Sequence, residues 1–296
     1  MPLHTGSFPW PPFVRIAAMA LMFLGFLAGC AGQVPTPEEI AEDEHDSRYA
    51  QIMRIANSTR AGGDLSGAVA FYRRANTMAP EQAEPLIALG ETSAALGALE
   101  EAAKAYRAAL AIDADDAKAR WGYGKVLIAL NRPDRAAHQF RAAIDLDPGD
   151  YRSYNGLGVA LDLVGKHEQA QQSYVDGMEK APDNPSLRNN LALSLALARN
   201  YDEAVEILRE IAGDPIAGRR VRQNLALVYG LAGKIEKAAA VASMDLKDDE
   251  VRNNLAYYQS LHKLSGRALA EAVLGVQTRG GNLPPDTASE ERAELP

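Results

Sequence analysis

The chain has 296 residues, 47% of them hydrophobic but only 6% aromatic, so a sizeable core is available and must be built largely from small side chains. Its formal net charge is −8, with 31 Lys and Arg against 39 Asp and Glu, which excludes the basic footprint of a general nucleic-acid binder. The single cysteine excludes an internal disulfide.

The first 29 residues read as a segment separate from the fold. Arg15 is followed by the apolar run Ile16–Leu27 and then by Leu27-Ala28-Gly29-Cys30. A positive start, a short apolar run and small residues before a cleavage point describe a secretory signal. Leu-Ala-Gly-Cys resembles the bacterial lipoprotein lipobox. That resemblance implies cleavage before Cys30, lipidation of Cys30 and attachment to a membrane. An uncleaved inner-membrane anchor is the alternative, although the run is shorter than the ~20 residues a spanning helix needs. Removing residues 1–29 takes away one positive and no negative charge, leaving a net charge of −9. Ala31, rather than aspartate, follows the cysteine; within the lipoprotein class this points to the outer membrane, facing the periplasm.

Residues 30–47 read as the lipidated Cys30 and a disordered acidic tether. Prolines and six acidic residues between Glu38 and Asp46 cannot bury a core. His45 lies among these carboxylates without metal-ligand spacing.

From residue 48 the sequence is organised by a 34-residue unit, clearest at Tyr151–Asn184. Tyr154, Leu157, Gly158 and Leu161 form one helical stripe, Gly165 ends it, Ala170, Tyr174 and Gly177 form a second, and Pro182 forbids continuation. Pro148 and Pro182 are one period apart, and Pro80 lies two periods before Pro148; the middle stop falls in the turn-like run Asp113–Asp116. Small residues recur at Gly90, Gly124, Gly158, Ala192 and Ala226. Alanine recurs at Ala68, Ala102, Ala136, Ala170, Ala204 and Ala238, with an aromatic four residues on at Tyr72, Tyr106, Phe140 and Tyr174. The expected contact is Gly158 against Ala170, with Leu157 and Tyr174 filling in around it. Period and pattern resemble the tetratricopeptide repeat, a helix–turn–helix unit. The resemblance implies an all-α, right-handed superhelical solenoid over residues 48–276, with about seven helical pairs stabilised by neighbour interfaces.

The pairs fall near 48–78, 83–112, 117–146, 151–180 and 185–212, the fifth ending at Gly213-Asp214-Pro215. A sixth begins near Gly218, with its second helix at 235–243. The seventh is irregular: Asn-Leu-Ala recurs at Asn190, Asn224 and Asn254, the last spacing being 30 rather than 34, as a capping unit would show. Residues 277–296 are polar and rich in Pro and Gly, and read as a disordered tail.

No catalytic constellation stands out. The five histidines have no metal-ligand partners at suitable spacing, and neither a phosphate loop nor a Gly-x-Ser-x-Gly elbow occurs. The expectation is a non-enzyme without cofactor or metal. What remains is a surface. In the repeat family, set positions of each first helix face inward. Mapped here they are Glu84, Ile87, Glu91, Trp121 and Lys125, then Arg152, Asn155, Val159, Leu163, Asn189, Leu193, Leu197, Gln223, Leu227, Leu231 and Tyr257. The C-terminal half of this face is apolar with amides along one side, suited to an extended or helical partner segment. The alternative is that the leucines pack on neighbouring first helices and the asparagines merely tie turns together.

The lipobox, the acidic tether, the repeats, and then Asn224–Lys234 and Val251–Tyr258 together resemble the TPR lipoprotein of the tight-adherence (Tad/Flp) pilus system, the TadD type. The resemblance covers nearly the whole mature chain. It implies a pilotin-like scaffold that binds protein partners, among them the outer-membrane secretin through which the pilus exits. A general cell-envelope scaffold for another outer-membrane or cell-wall complex is the alternative.

Overall fold

A computed structural model describes residues 37–212 and 218–275. The signal segment, Cys30, the start of the tether, the 213–215 turn and the tail at 277–296 lie outside the described residues. Two compact units divide at Ala50. Of the first, residues 37–50 are described, and they are the N-terminal part of helix α1 (Pro37–Ala61). This corrects the tether reading from residue 37 onward. Pro37, Glu38 and Glu39, among the residues that argued against a core, are also residues a first helical turn favours.

The second unit is all-helical. It continues α1 and holds α2 (Leu65–Met78), α3 (Glu84–Ala95), α4 (Leu99–Ile112), α5 (Ala117–Ala129), α6 (Pro133–Leu146) and α7 (Tyr151–Leu163). Then follow α8 (His167–Lys180), α9 (Pro185–Leu197), α10 (Tyr201–Ala212), α11 (Gly218–Leu231), α12 (Ile235–Ala242), α13 (Asp248–Leu261) and α14 (Gly266–Leu274). From α2 to α13 each helix packs on the next in chain order, as a solenoid requires.

Local chemistry sets the ends. Asp64, Asp116, Asp150 and Asn184 cap the first turns of α2, α5, α7 and α9, each side chain accepting from a backbone N–H. Pro80, Pro148 and Pro182 each stand two residues beyond a second helix. After α4, where proline is missing, Asp113 accepts from the Asp115 N–H at 2.9 Å and makes the turn instead. Within pairs, the turn residue has positive φ. It is glycine at Gly63, Gly97, Gly165 and Gly233, but Asn131 (58°) and Arg199 (65°) in the third and fifth pairs.

The repeating alanines Ala68, Ala102, Ala136, Ala170, Ala204 and Ala238 are fully buried, as are Tyr72, Phe140 and Tyr174. The glycines among the small residues lie hard against the aromatic rings. A Cβ on Gly90 would lie 2.8 Å from the Tyr106 ring, and one on Gly124 2.7 Å from the Phe140 ring. One on Gly158 would meet the Tyr174 ring more closely still, so the nearest group for which Gly158 makes room is Tyr174. Two of the rings also reach the next pair. Cβ atoms on Gly122 and Gly156 would come within 2.5 Å of Tyr106 and Phe140 respectively.

The last two helices depart from the pattern. α13 lies against α11 and α12 in the manner of a first helix. α14 does not complete the pair on it, but folds back against α7 and α9.

Two substitutions test these constraints. Gly158→Leu should lower the unfolding free energy by about 1–3 kcal/mol, the usual range for an overfilled core, seen as a lower urea midpoint. Arg199→Gly should raise it by about 1 kcal/mol, because a side chain at positive φ is strained by roughly that amount; an unchanged midpoint would show that Arg199 is not held left-handed.

Candidate functional site

Successive first helices touch one another: α3 with α5, α5 with α7, α7 with α9, α9 with α11, α11 with α13. Second helices make no comparable contacts with one another. The first helices therefore form the inner layer of the stack, and the inward positions read from the sequence lie on it.

This layer has two characters. At its N-terminal end it is charged and open. A cleft of about 550 Å³ is lined by Arg60, Glu84, Ile87, Glu91, Asp116 and Lys118, among others. Glu91 accepts from Arg60 at 2.7 Å and from Lys118 at 2.9 Å. Burial raises the Glu91 pKa, but the two cationic partners outweigh it and hold the carboxyl below its ordinary value. Next along, half-buried Trp121 is flanked by Lys125, whose Nζ lies 4.3 Å from the ring centroid, and by Arg152, whose guanidinium carbon lies at 4.8 Å. These are cation–π distances.

Toward the C-terminus the layer is apolar and covered. Leu163, Leu193, Leu197, Leu227 and Leu231 are buried, the first two at 2% and 3% exposure. Of the two readings the sequence leaves open, this burial is that of leucines packed on neighbouring first helices. The first helices pack on one another here, and α14 lies across α7 and α9. Val159 and Gln223 are half-buried, and Tyr257 is exposed.

The amides bond to each other. Asn190 donates to Asn155 at 2.9 Å, Asn189 to Asn190 at 3.2 Å, and Asn224 to Asn189 at 2.8 Å. They form a ladder across α7, α9 and α11, tying three first helices together.

Sequence reasoning missed a buried polar cluster between the fourth and fifth pairs. The Asp162 carboxylate is fully buried. It accepts from Ser194 Oγ at 2.7 Å and from the Tyr174 hydroxyl at 3.1 Å, and lies 2.8 Å from His167 Nδ1. The residue types match a hydrolase triad but their order does not. Asp162 stands between serine and histidine, so the imidazole has no hold on the serine proton and cannot act as its base. The cluster ties α7, α8 and α9 together. Among the described residues no three His, Cys, Asp or Glu side chains gather to hold a metal ion.

Comparison with known proteins adds the following. Two tetratricopeptide-repeat family models match the chain, one over residues 93–161 and the other over 53–117 and 164–217, together more than half of it. No curated protein matches. Among solved structures, a tetratricopeptide repeat protein from Parabacteroides merdae is similar with a TM-score of 0.57 and 15% identity, over 83% of this chain and 94% of its own. Pseudomonas aeruginosa pilF is similar at 0.56 and 21%, over 68% of this chain and 90% of its own. YrrB, a TPR protein with an unusual peptide-binding site, is similar at 0.51 and 22%, over 61% and 93%. At these identities the likeness is one of fold.

The cluster generates a stability prediction. Burial is the largest influence on the Asp162 carboxyl and pushes its pKa above the ordinary value, while hydrogen bonds from His167 and Ser194 pull it back. The folded state thus holds this proton more tightly than the unfolded chain. The resulting stability is complete below the unfolded value of about 3.9 and is lost as pH rises through the folded one. Asp162→Asn should remove that part of the pH dependence, so the gap between wild type and variant changes as pH rises above about 4. Asp162→Ala should cost about 1–3 kcal/mol at neutral pH, the price of leaving buried partners unsatisfied. Urea unfolding across a pH series reads both.

Proposed function

Because this chain belongs to the tetratricopeptide-repeat family, we propose that it is a non-catalytic scaffold, held in the bacterial cell envelope by a lipid on Cys30 and binding protein partners with its inner layer. The observation that carries the reading is the continuous layer of first helices, whose charged N-terminal end opens as a cleft at Glu91 and continues to half-buried Trp121 and Lys125. An aromatic ring between two cations and an adjoining polar cleft suit a protein segment with both apolar and acidic groups. The finer assignment is to the assembly of the Tad/Flp pilus, with the outer-membrane secretin as a partner. It rests on the resemblance carried by the lipobox, Asn224–Lys234 and Val251–Tyr258.

Attachment is tested at the cysteine. A fatty-acid probe should label the wild type and not Cys30→Ala, and the variant should leave the membrane fraction; unlabelled wild type would end the lipoprotein reading. Partner binding is tested with a photo-crosslinking residue at Trp121, and for comparison at Glu206 on a second helix. Capture of a pilus-assembly component from Trp121 alone is expected. Capture of only other envelope proteins would move the assignment to the general scaffold, and equal capture from both positions would remove the inner layer as the binding face.

A further inference from the structure

α14 is nine residues long, too short to be helical in isolation. Its helicity comes from docking. Ala270, Val273 and Leu274 make one buried face at the spacing of adjacent helical turns. That face is turned away from the second-helix position beside α13, since the helix lies on α7 and α9 instead. Its polar holds are few and long. The Arg267 guanidinium donates to the Leu163 carbonyl at 3.3 Å and to Asn131 Oδ1 at 3.2 Å, with Asp134 4.0 Å away. The Tyr257 hydroxyl donates to the Ala272 carbonyl at 3.4 Å. Arg267 and Tyr257 are both exposed, so these contacts are weak. The inner layer beneath is bonded to itself by the asparagine ladder and by the Asp162 cluster, so it does not need α14 to hold together.

We infer that α14 is a displaceable occupant of the inner layer over α7 and α9, and that the external ligand of this surface is an amphipathic partner helix with the same face: an arginine, then small or branched apolar residues three, six and seven positions later. The inference rests on the inner layer being protein-binding and names the chemistry of one ligand. In the resting chain the tethered helix competes at high effective concentration and keeps the surface closed. A partner helix with a longer apolar face displaces it, and α14 then loses its helical form.

The probe is a fluorescent peptide of residues 263–275, KLSGRALAEAVLG, titrated against the full chain. Val273→Asp should undock α14 by placing a charge in its buried face, and Arg267→Ala should loosen it without touching that face. The peptide should bind the Val273→Asp variant at least tenfold more tightly than wild type, with Arg267→Ala in between. Hydrogen exchange should show 266–274 protected in wild type and unprotected in Val273→Asp, while α7 and α9 stay protected in both. Equal affinity for wild type and variant, or no binding to Val273→Asp, overturns the inference. So does loss of protection in α7 and α9, which would make α14 a structural part of the stack. The underlying reading is separated by the crosslinker at Trp121: peptide binding without partner capture leaves the displaceable helix standing and removes the scaffold assignment, and capture without peptide binding does the reverse.

Discussion

The spacing of this stack is set by aromatic rings held between glycines. Tyr106 lies between Gly90 of its own pair and Gly122 of the next, and Phe140 between Gly124 and Gly156 in the same way. One ring thus fixes two distances, first helix to second within a pair and second helix to first between pairs. Any side chain at those glycines would intrude on the ring, so the helices can approach only where no Cβ is present. After Tyr174 the arrangement changes. Gly158 still faces the ring, but the position equivalent to Gly156 is Asn190, which bonds to Asn155 and Asn189. The Tyr174 hydroxyl turns to Asp162. Rings against glycines hold the second and third pairs together, and the buried Asp162 cluster joins that packing at the fourth.

That changeover separates the two halves of the inner layer. Where packing of rings and glycines suffices, the inward positions are left to charged and aromatic groups such as Glu91, Trp121 and Lys125. Where leucines occupy those positions, exposure to water would be unfavourable, and the chain covers part of them with its own α14. The binding surface is consequently not uniform: its open end is polar, and its apolar end already carries a helix.

The fold was readable from the sequence because a repeat prints its packing at a fixed interval. The prolines at 80, 148 and 182, the small residues and the second-helix alanines mark helix ends and contacts that recur every 34 residues. The site was readable only in outline. Choosing inward positions by period finds the right helices, but period is blind to what covers them. α14 is an amphipathic stretch like its predecessors, and nothing local states that it docks a hundred residues back. Asp162 was missed because it stands where neighbouring units have Ile128 and Ala196, so the repeat gives no reason to expect a carboxylate there. Its partners His167 and Tyr174 come from α8 and Ser194 from α9, and they converge on it only when these helices are stacked on α7. Spacing marks Gly158 as a close contact with Tyr174 beside it, but does not say that the Tyr174 ring is what a Cβ there would strike first.

The return of α14 also changes how the chain reaches its final form. Contacts elsewhere join neighbours about one unit apart, so the topology has low contact order and can assemble progressively from any point. The bond from Arg267 to Asn131 spans 136 residues and closes a loop through the fourth, fifth and sixth pairs. Its entropy of closure is met only after those pairs have stacked. During synthesis the inner surface over α7 and α9 is therefore complete before the segment that covers it has left the ribosome. A chain that stops short of residue 266 would present that surface permanently.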